Sequence, residues 1–226
     1  MTPDRRPADA EAAETTARIL LETKAVLFSP EKPFTFTSGR VSPVYIDCRR
    51  LISFPRARRQ LMDMGAAMIE RRVGYESIDA VAGGETAGIP FAAWIAEYFF
   101  LPMIYVRKEP KTFGRLAQIE GALEPGQRVI LVEDLTTDAK SKVNFCRALK
   151  RAGADVEHAV VVFYYGIYPE AEKNLDSVGV HLHALTDWRA TLEVAEAKGH
   201  FDAKQAAAVR DFLAAPEAWS KAHGGA

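Results

Sequence analysis

Apolar side chains recur along this chain with two different periods, and the period changes several times. Residues 10–27 place Ile19, Leu20, Val26 and Leu27 at gaps of about one helical turn, so one helix is expected there, stopped by Pro30 and Pro33. Residues 34–47 alternate around Gly39 and Pro43 and read as a hairpin. Residues 55–72 return to the helical period: Leu61, Met64, Gly65, Met68 and Ile69 share one stripe, and Pro55 suits a first turn. From there on, short apolar runs alternate with helical stretches. Strands are expected at 78–82, 102–106, 129–132, 156–165 and 180–185, and helices at 89–99, 142–151 and 169–178. Thr186, Asp187 and Trp188 cap a further helix, and residues 202–214 make another.

Continuous apolar runs of this kind belong to strands buried on both faces. Their alternation with helices implies an α/β fold: a mainly parallel central sheet flanked by helices, with right-handed crossovers. Residues 1–54 are expected to form an N-terminal helix and a small hairpin segment, and residues 55–226 the core with C-terminal helices, one structural domain overall. A length of 226 residues, 48% of them hydrophobic, fits that size. The formal net charge of −1 gives no pull toward nucleic acid. No apolar run reaches the length of a membrane span and residues 1–14 hold no apolar signal core, so no membrane partner and a cytoplasmic location are expected. Cys48 and Cys146 share no metal-ligand or redox spacing and are expected as reduced packing thiols.

The chemistry gathers at residues 128–141. An apolar run ends in Glu133 and Asp134, and Leu135, Thr136, Thr137, Asp138, Ala139, Lys140 and Ser141 then lead into a helical pattern. Successive strand side chains point to opposite faces, so the two acids cannot do one identical job. They stand where a parallel strand runs out, the place where open α/β sheets bind ligands. The free amides of the following helix suit a phosphate. Carboxylates above a phosphate cradle fit a phosphorylated sugar, whose diol or metal-bound water they would accept. A second stretch, Gly83-Gly84-Glu85-Thr86-Ala87-Gly88, turns a strand into a helix with glycines that allow backbone close to a charged group. It has neither the dinucleotide glycine spacing nor the Walker Gly-Lys-Ser/Thr. A third, residues 107–121, is a long basic loop with Arg107, Lys108, Lys111 and Arg115, fit to clamp a pyrophosphate. On residue types alone these stretches also fit a capped helix in any doubly wound domain, a tight turn and a solvated loop.

In this order, the stretches resemble the type I phosphoribosyltransferases, and the orotate phosphoribosyltransferase family in particular. Ser38-Gly39-Arg40-Val41-Ser42-Pro43-Val44-Tyr45-Ile46-Asp47 is similar to that family's N-terminal segment, a hood over the base. The resemblance implies transfer of ribose 5-phosphate from 5-phospho-α-D-ribose 1-diphosphate to orotate, in de novo pyrimidine (UMP) biosynthesis. It implies Lys108 and Lys111 as catalytic residues. Arg107, Lys108, Lys111 and positions Glu133 to Ser141 would bind phosphoribosyl diphosphate; Thr137, Tyr45 and Tyr165, with Ser38 and the backbone near Ile46, would face orotate. Mg²⁺ would be the cofactor, met by Asp134 through water, and a homodimer would let the basic loop reach the neighbouring site. The chain also departs from the family. Thr37 and Ala87 stand where lysines are common, Phe113 where histidine is, and Tyr165 where an arginine recognises the base. Ala139 replaces a glycine, which at positive φ costs on the order of 1 kcal/mol, while Lys140 adds charge near the phosphate. A paralogue using another base, or a non-catalytic regulator that binds phosphoribosyl diphosphate, are the alternatives.

Overall fold

The computed structural model describes residues 9–36, 38–110 and 118–225. Helix α1 (Ala10–Glu22) is followed by strands β1 (Val26–Phe28), β2 (Phe34–Thr35), β3 (Val41–Ser42) and β4 (Val44–Ile46), a 3₁₀ turn (Cys48–Ser53) and helix α2 (Pro55–Arg72). Then come β5 (Ala80–Gly84), α3 (Gly88–Phe99), β6 (Met103–Val106), β7 (Ile119–Glu120), β8 (Arg128–Thr136), α4 (Lys140–Arg151), β9 (Asp155–Tyr164), α5 (Glu170–Asp176) and β10 (His181–Asp187). Helices α6 (Trp188–Ala197), α7 (Ala203–Ala214) and α8 (Pro216–Ala222) complete the chain. The sheet runs β10-β9-β8-β5-β6-β7, parallel throughout except that β7 returns antiparallel along β6.

Strand alternation divides the core in two. Ile130 and Val132 face a layer that includes α1, α2, α3 and α6, while Val129 and Leu131 face α4 and α5. Ile19 and Leu20 of α1, with Val44, Ile46 and Leu51, share the first layer with Val81 and Trp188. Residues before α2 therefore complete the main core and have none of their own. Each such large apolar side chain contributes about 1.5–3 kcal/mol when fully buried. Cys48 and Cys146 are free and buried. No helix among the described residues is long and apolar enough to cross a membrane.

The structure corrects several expected boundaries. The first helix stops at Glu22, and Val26 and Leu27 belong to β1, paired with β4. Lys24 adopts φ 55°, and the Lys24 and Ala25 amides return to the Leu21 and Leu20 carbonyls. This is a Schellman ending with lysine in the place that glycine usually marks. The long basic loop returns to the sheet as β7. Gly83 and Gly84 belong to β5, not to the turn after it. Helix α8 was not expected, whereas α2 and the ending of α4 at Gly153 (φ 94°) follow the pattern of the sequence.

The order of strands fixes where a ligand can enter. From β5 the chain moves to β6 on one side and later returns to β8 on the other, so the direction of winding reverses between β5 and β8. The β5–β8 ladder ends at Gly83 and Val132. Strand β8 continues against β9 alone, as far as Thr136 beside Tyr164.

Candidate active site

The acid pair lies within β8, past the end of its ladder with β5, and its members diverge as strand geometry requires. Glu133, expected to meet a sugar diol, is 6% exposed and turned into the protein. Its Oε2 accepts from Lys142 Nζ at 2.8 Å, and its Oε1 lies where a Cβ on Gly84 or Gly88 would be, 2.4 Å from each. Burial pushes its carboxyl up to about 6 against the pull of the Lys142 charge. In the structure this carboxylate forms a buried ion pair with Lys142 at the end of the strand. Asp134 is on the opposite face, 8% exposed, and accepts the Leu135 amide at 2.8 Å. Burial raises its carboxyl too, while Lys142, the Leu135 amide and Arg49 pull it down. Arg49 donates to the Tyr45 hydroxyl at 2.8 Å and to Asp47 at 3.3 Å, so its charge is held at the hood.

Beyond β8 the chain enters α4 through a left-handed residue. Ala139 has φ 63° and ψ 7°, so the strained conformation anticipated for this alanine is present. No side chain caps α4, although Asp138 Oδ1 accepts the Lys140 amide at 3.2 Å and Asn174 holds the Asp138 carbonyl at 2.7 Å. Thr137 and Asp138 line a cleft, Lys140 and Ser141 are exposed, and Leu135 is half-buried. Thr136 differs from its place as a loop residue: it closes β8, buried, with no partner for its hydroxyl among the described residues. Lys142, which the sequence reading passed over, also donates to the Leu135 carbonyl and so ties the helix start to the strand end. Its signal was its place one turn into a helix after two acids.

The root of the basic loop is fixed beside this region. Glu85 accepts the Lys108 amide at 2.8 Å, and Asn144 of α4 donates to the Lys108 carbonyl at 2.8 Å. Arg107 reaches Glu120 at 4.0 Å, and its buried Nε meets no hydrogen-bond partner among the described residues. Lys111 and Phe113 lie outside the described residues, as does Thr37.

Under the hood is a cleft of about 360 Å³ between β2–β4 and the ends of β8 and β9. Tyr45, Thr137 and Tyr165, the three candidates for the base, all line it, as do Ser38 and Ile46. Tyr165 is nearly enclosed: its hydroxyl accepts the Ile46 amide at 3.3 Å, and its ring meets Phe36, Phe163 and Trp188 edge-on. Arg40 and Tyr168 line the same cleft and were not among the expected site residues. Arg40 stood within the hood motif, but nothing in its spacing showed which way the side chain turns.

The donor set constrains a metal. Among the described residues no group of three or more His, Cys, Asp or Glu side chains is placed to hold one. Asp134 supplies hard oxygen only. That suits Mg²⁺, which is commonly bound through one or two carboxylates together with phosphate oxygens and water.

A parallel sheet with an acid and a phosphate-ready helix start at its switch point, under a hood, defines a class. The Phosphoribosyl transferase domain family matches residues 57–194, leaving the hood and the last two helices outside the match. Orotate phosphoribosyltransferase of Dinoroseobacter shibae is 52% identical over 223 residues, 99% of each chain. The structure of orotate phosphoribosyltransferase from Aeropyrum pernix aligns at a TM-score of 0.67 and 29% identity, over 81% of this chain and 99% of that one. Leishmania donovani UMP synthase aligns at 0.77 and 29% identity, over 90% of this chain and 42% of that one. The chain belongs to the orotate phosphoribosyltransferase family.

Proposed function

We propose that this chain transfers ribose 5-phosphate from 5-phospho-α-D-ribose 1-diphosphate to orotate, forming orotidine 5′-monophosphate and pyrophosphate. The observation that carries the reading is the 52% identity with a named orotate phosphoribosyltransferase across 99% of both chains. The amides and hydroxyls from Thr137 to Ser141 take the 5′-phosphate at the start of α4. Asp134 takes the ribose diol or metal-bound water. Asp134 would hold Mg²⁺ through water, and the ion would supply positive charge to offset that of the diphosphate. Arg107, Lys108 and Lys111 face the leaving pyrophosphate, where charge builds as the anomeric carbon becomes cationic. Tyr45, Thr137 and Tyr165 enclose the base. A homodimer, in which the basic loop of one copy serves its neighbour, and a cytoplasmic setting go with this reading.

The test is direct. Protein, phosphoribosyl diphosphate, Mg²⁺ and orotate are mixed, and loss of orotate absorbance is followed. Turnover with orotate and none with purines is the expected result; no turnover with any base would leave a binding protein. Asp134→Asn should weaken phosphoribosyl diphosphate affinity, and unchanged affinity would remove the role given to that acid.

A further inference from the structure

Orotate differs from uracil by one carboxylate, and an enzyme that encloses it has to answer that charge. An anion taken from water without a paired cation costs several kcal/mol. The residues that enclose the cleft are mostly aromatic or uncharged. Tyr165 carries no positive charge, and its hydroxyl, which accepts from the Ile46 amide, has only a neutral O–H to give. Among the described residues lining the cleft, Arg40 is the one cation.

The surroundings of Arg40 hold it in place without spending its fork. Its backbone is set by a tight turn: the Phe36 amide donates to the Arg40 carbonyl at 2.8 Å, and Gly39 supplies φ 83° between them. The next residue, Val41, donates its amide to Ser220 of α8 at 2.9 Å. The guanidinium lies over the Tyr168 ring, 4.5 Å from its centre. Its Nη2 donates to Glu170 and, at 3.5 Å, to Glu217. No hydrogen bond among the described residues engages Nε or Nη1. The side chain is 21% exposed, enough shielding to matter and enough opening to be reached. Asp138, the other charged residue of the cleft wall, is paired with Lys140 at 3.2 Å. Arginine can serve two carboxylates at once, since its five donors sit in one rigid plane.

We propose that Arg40 is the specificity-determining cation of this cleft: its Nε–H and Nη1–H groups hold the carboxylate of an anionic pyrimidine, while Glu170 and Tyr168 fix the plane of the guanidinium. This rests on the orotate reading above and adds the group that selects orotate over its neutral relatives. The competing role is a strut joining the hood to α5 and α8 by ion pairs.

Steady-state kinetics of the full chain separate the two. KM is measured for orotate and for phosphoribosyl diphosphate, and kcat/KM for orotate is compared with that for uracil. Arg40→Met should raise the orotate KM by about 30-fold and leave the phosphoribosyl diphosphate KM within about 3-fold. The preference for orotate over uracil should fall by about 100-fold. Arg40→Lys, which keeps a point charge without the fork, should recover part of both and also covers the case where Arg40→Met folds poorly. Glu170→Gln removes the charge but keeps an acceptor for Nη2, so the orotate KM should rise by less than with Arg40→Met. A rise as large as that of Arg40→Met without loss of the orotate preference would favour the strut. The assignment falls if Arg40→Met, or Arg40→Lys in its place, leaves the orotate KM and the preference unchanged. It falls equally if both KM values rise together with a lower melting temperature and the preference survives. If the unaltered protein neither binds nor turns over orotate, the activity reading fails and this assignment goes with it; loss of the Arg40 effect alone, in an active enzyme, overturns only the assignment.

Discussion

Two residues at the turn from β8 into α4 show how single side chains set the energy of the site. Ala139 is both buried and left-handed. Relief of the backbone by Ala139→Gly is worth about 1 kcal/mol, and the methyl it removes is worth about 0.8 kcal/mol of burial. The two nearly cancel, so the melting temperature should move little. Ala139→Val adds a branched side chain where neither backbone nor space admits it and should cost about 3 kcal/mol in urea unfolding. Lys142 is 4% exposed and paired with Glu133. Lys142→Met leaves that carboxylate buried alone and should cost about 3–5 kcal/mol; adding Glu133→Gln should recover part of it. Glu133 also imposes a pH dependence. Its carboxyl titrates near 6 when folded and near 4.5 at its ordinary value, so the folded protein holds this proton more tightly. The contribution is complete below pH 4.5 and is lost as pH rises through 6. Unfolding of wild type and Glu133→Gln across this window should differ in slope, with the variant flatter. That the two acids would split was legible from strand alternation. Which of them turned inward was not, because that depends on where Lys142 reaches.

At the scale of elements, the sequence reading was sound where one signal acts locally. Helix α2 begins and ends where its apolar stripe and Pro55 place it, and Asp187 caps α6 by accepting the Ala190 amide at 2.9 Å. It failed where a distant partner decides. The end of α1 depends on Lys24 in a conformation its residue type disfavours, and β8 outruns its apolar stretch because β9 still pairs with it. Helix α8 is of this kind: it is short, but Ser220 accepts the Val41 amide of the hood, and Trp219 packs edge-on against Phe212 of α7 at 5.5 Å. A chain ended after Ala215 should still fold, with faster hydrogen exchange at the Val41 amide. Its orotate KM should rise by about 10-fold, more than its KM for phosphoribosyl diphosphate, because one element's support of the other is lost.

For the whole molecule, the parallel sheet and its switch point followed from the order of strands and helices, and with them the place where β8 gives way to α4. The cleft under the hood did not, since it forms between segments far apart in the chain: Tyr45 from the hood, Thr137 after β8 and Tyr165 after β9. Assembly is a further expectation at this scale. Tyr75, Tyr98 and Phe100 are exposed, Phe100 by 90%, and Phe99 joins the first two through ring contacts at 6.0 and 5.1 Å. An aromatic patch of this kind suits a second copy. Sedimentation should give the mass of two chains, and Phe100→Lys should shift it toward one. The space shared by Gly84, Gly88 and Glu133 reaches further, into the history of the chain. A carboxylate, not a methyl group, keeps sheet and helix α3 at their distance there. A Cβ on Gly84 would also meet the Phe145 ring at 2.5 Å, and one on Gly88 the Val132 carbonyl at 2.6 Å. Shortening residue 133 alone would have freed neither position, and both glycines are pinned by strand, helix and acid together.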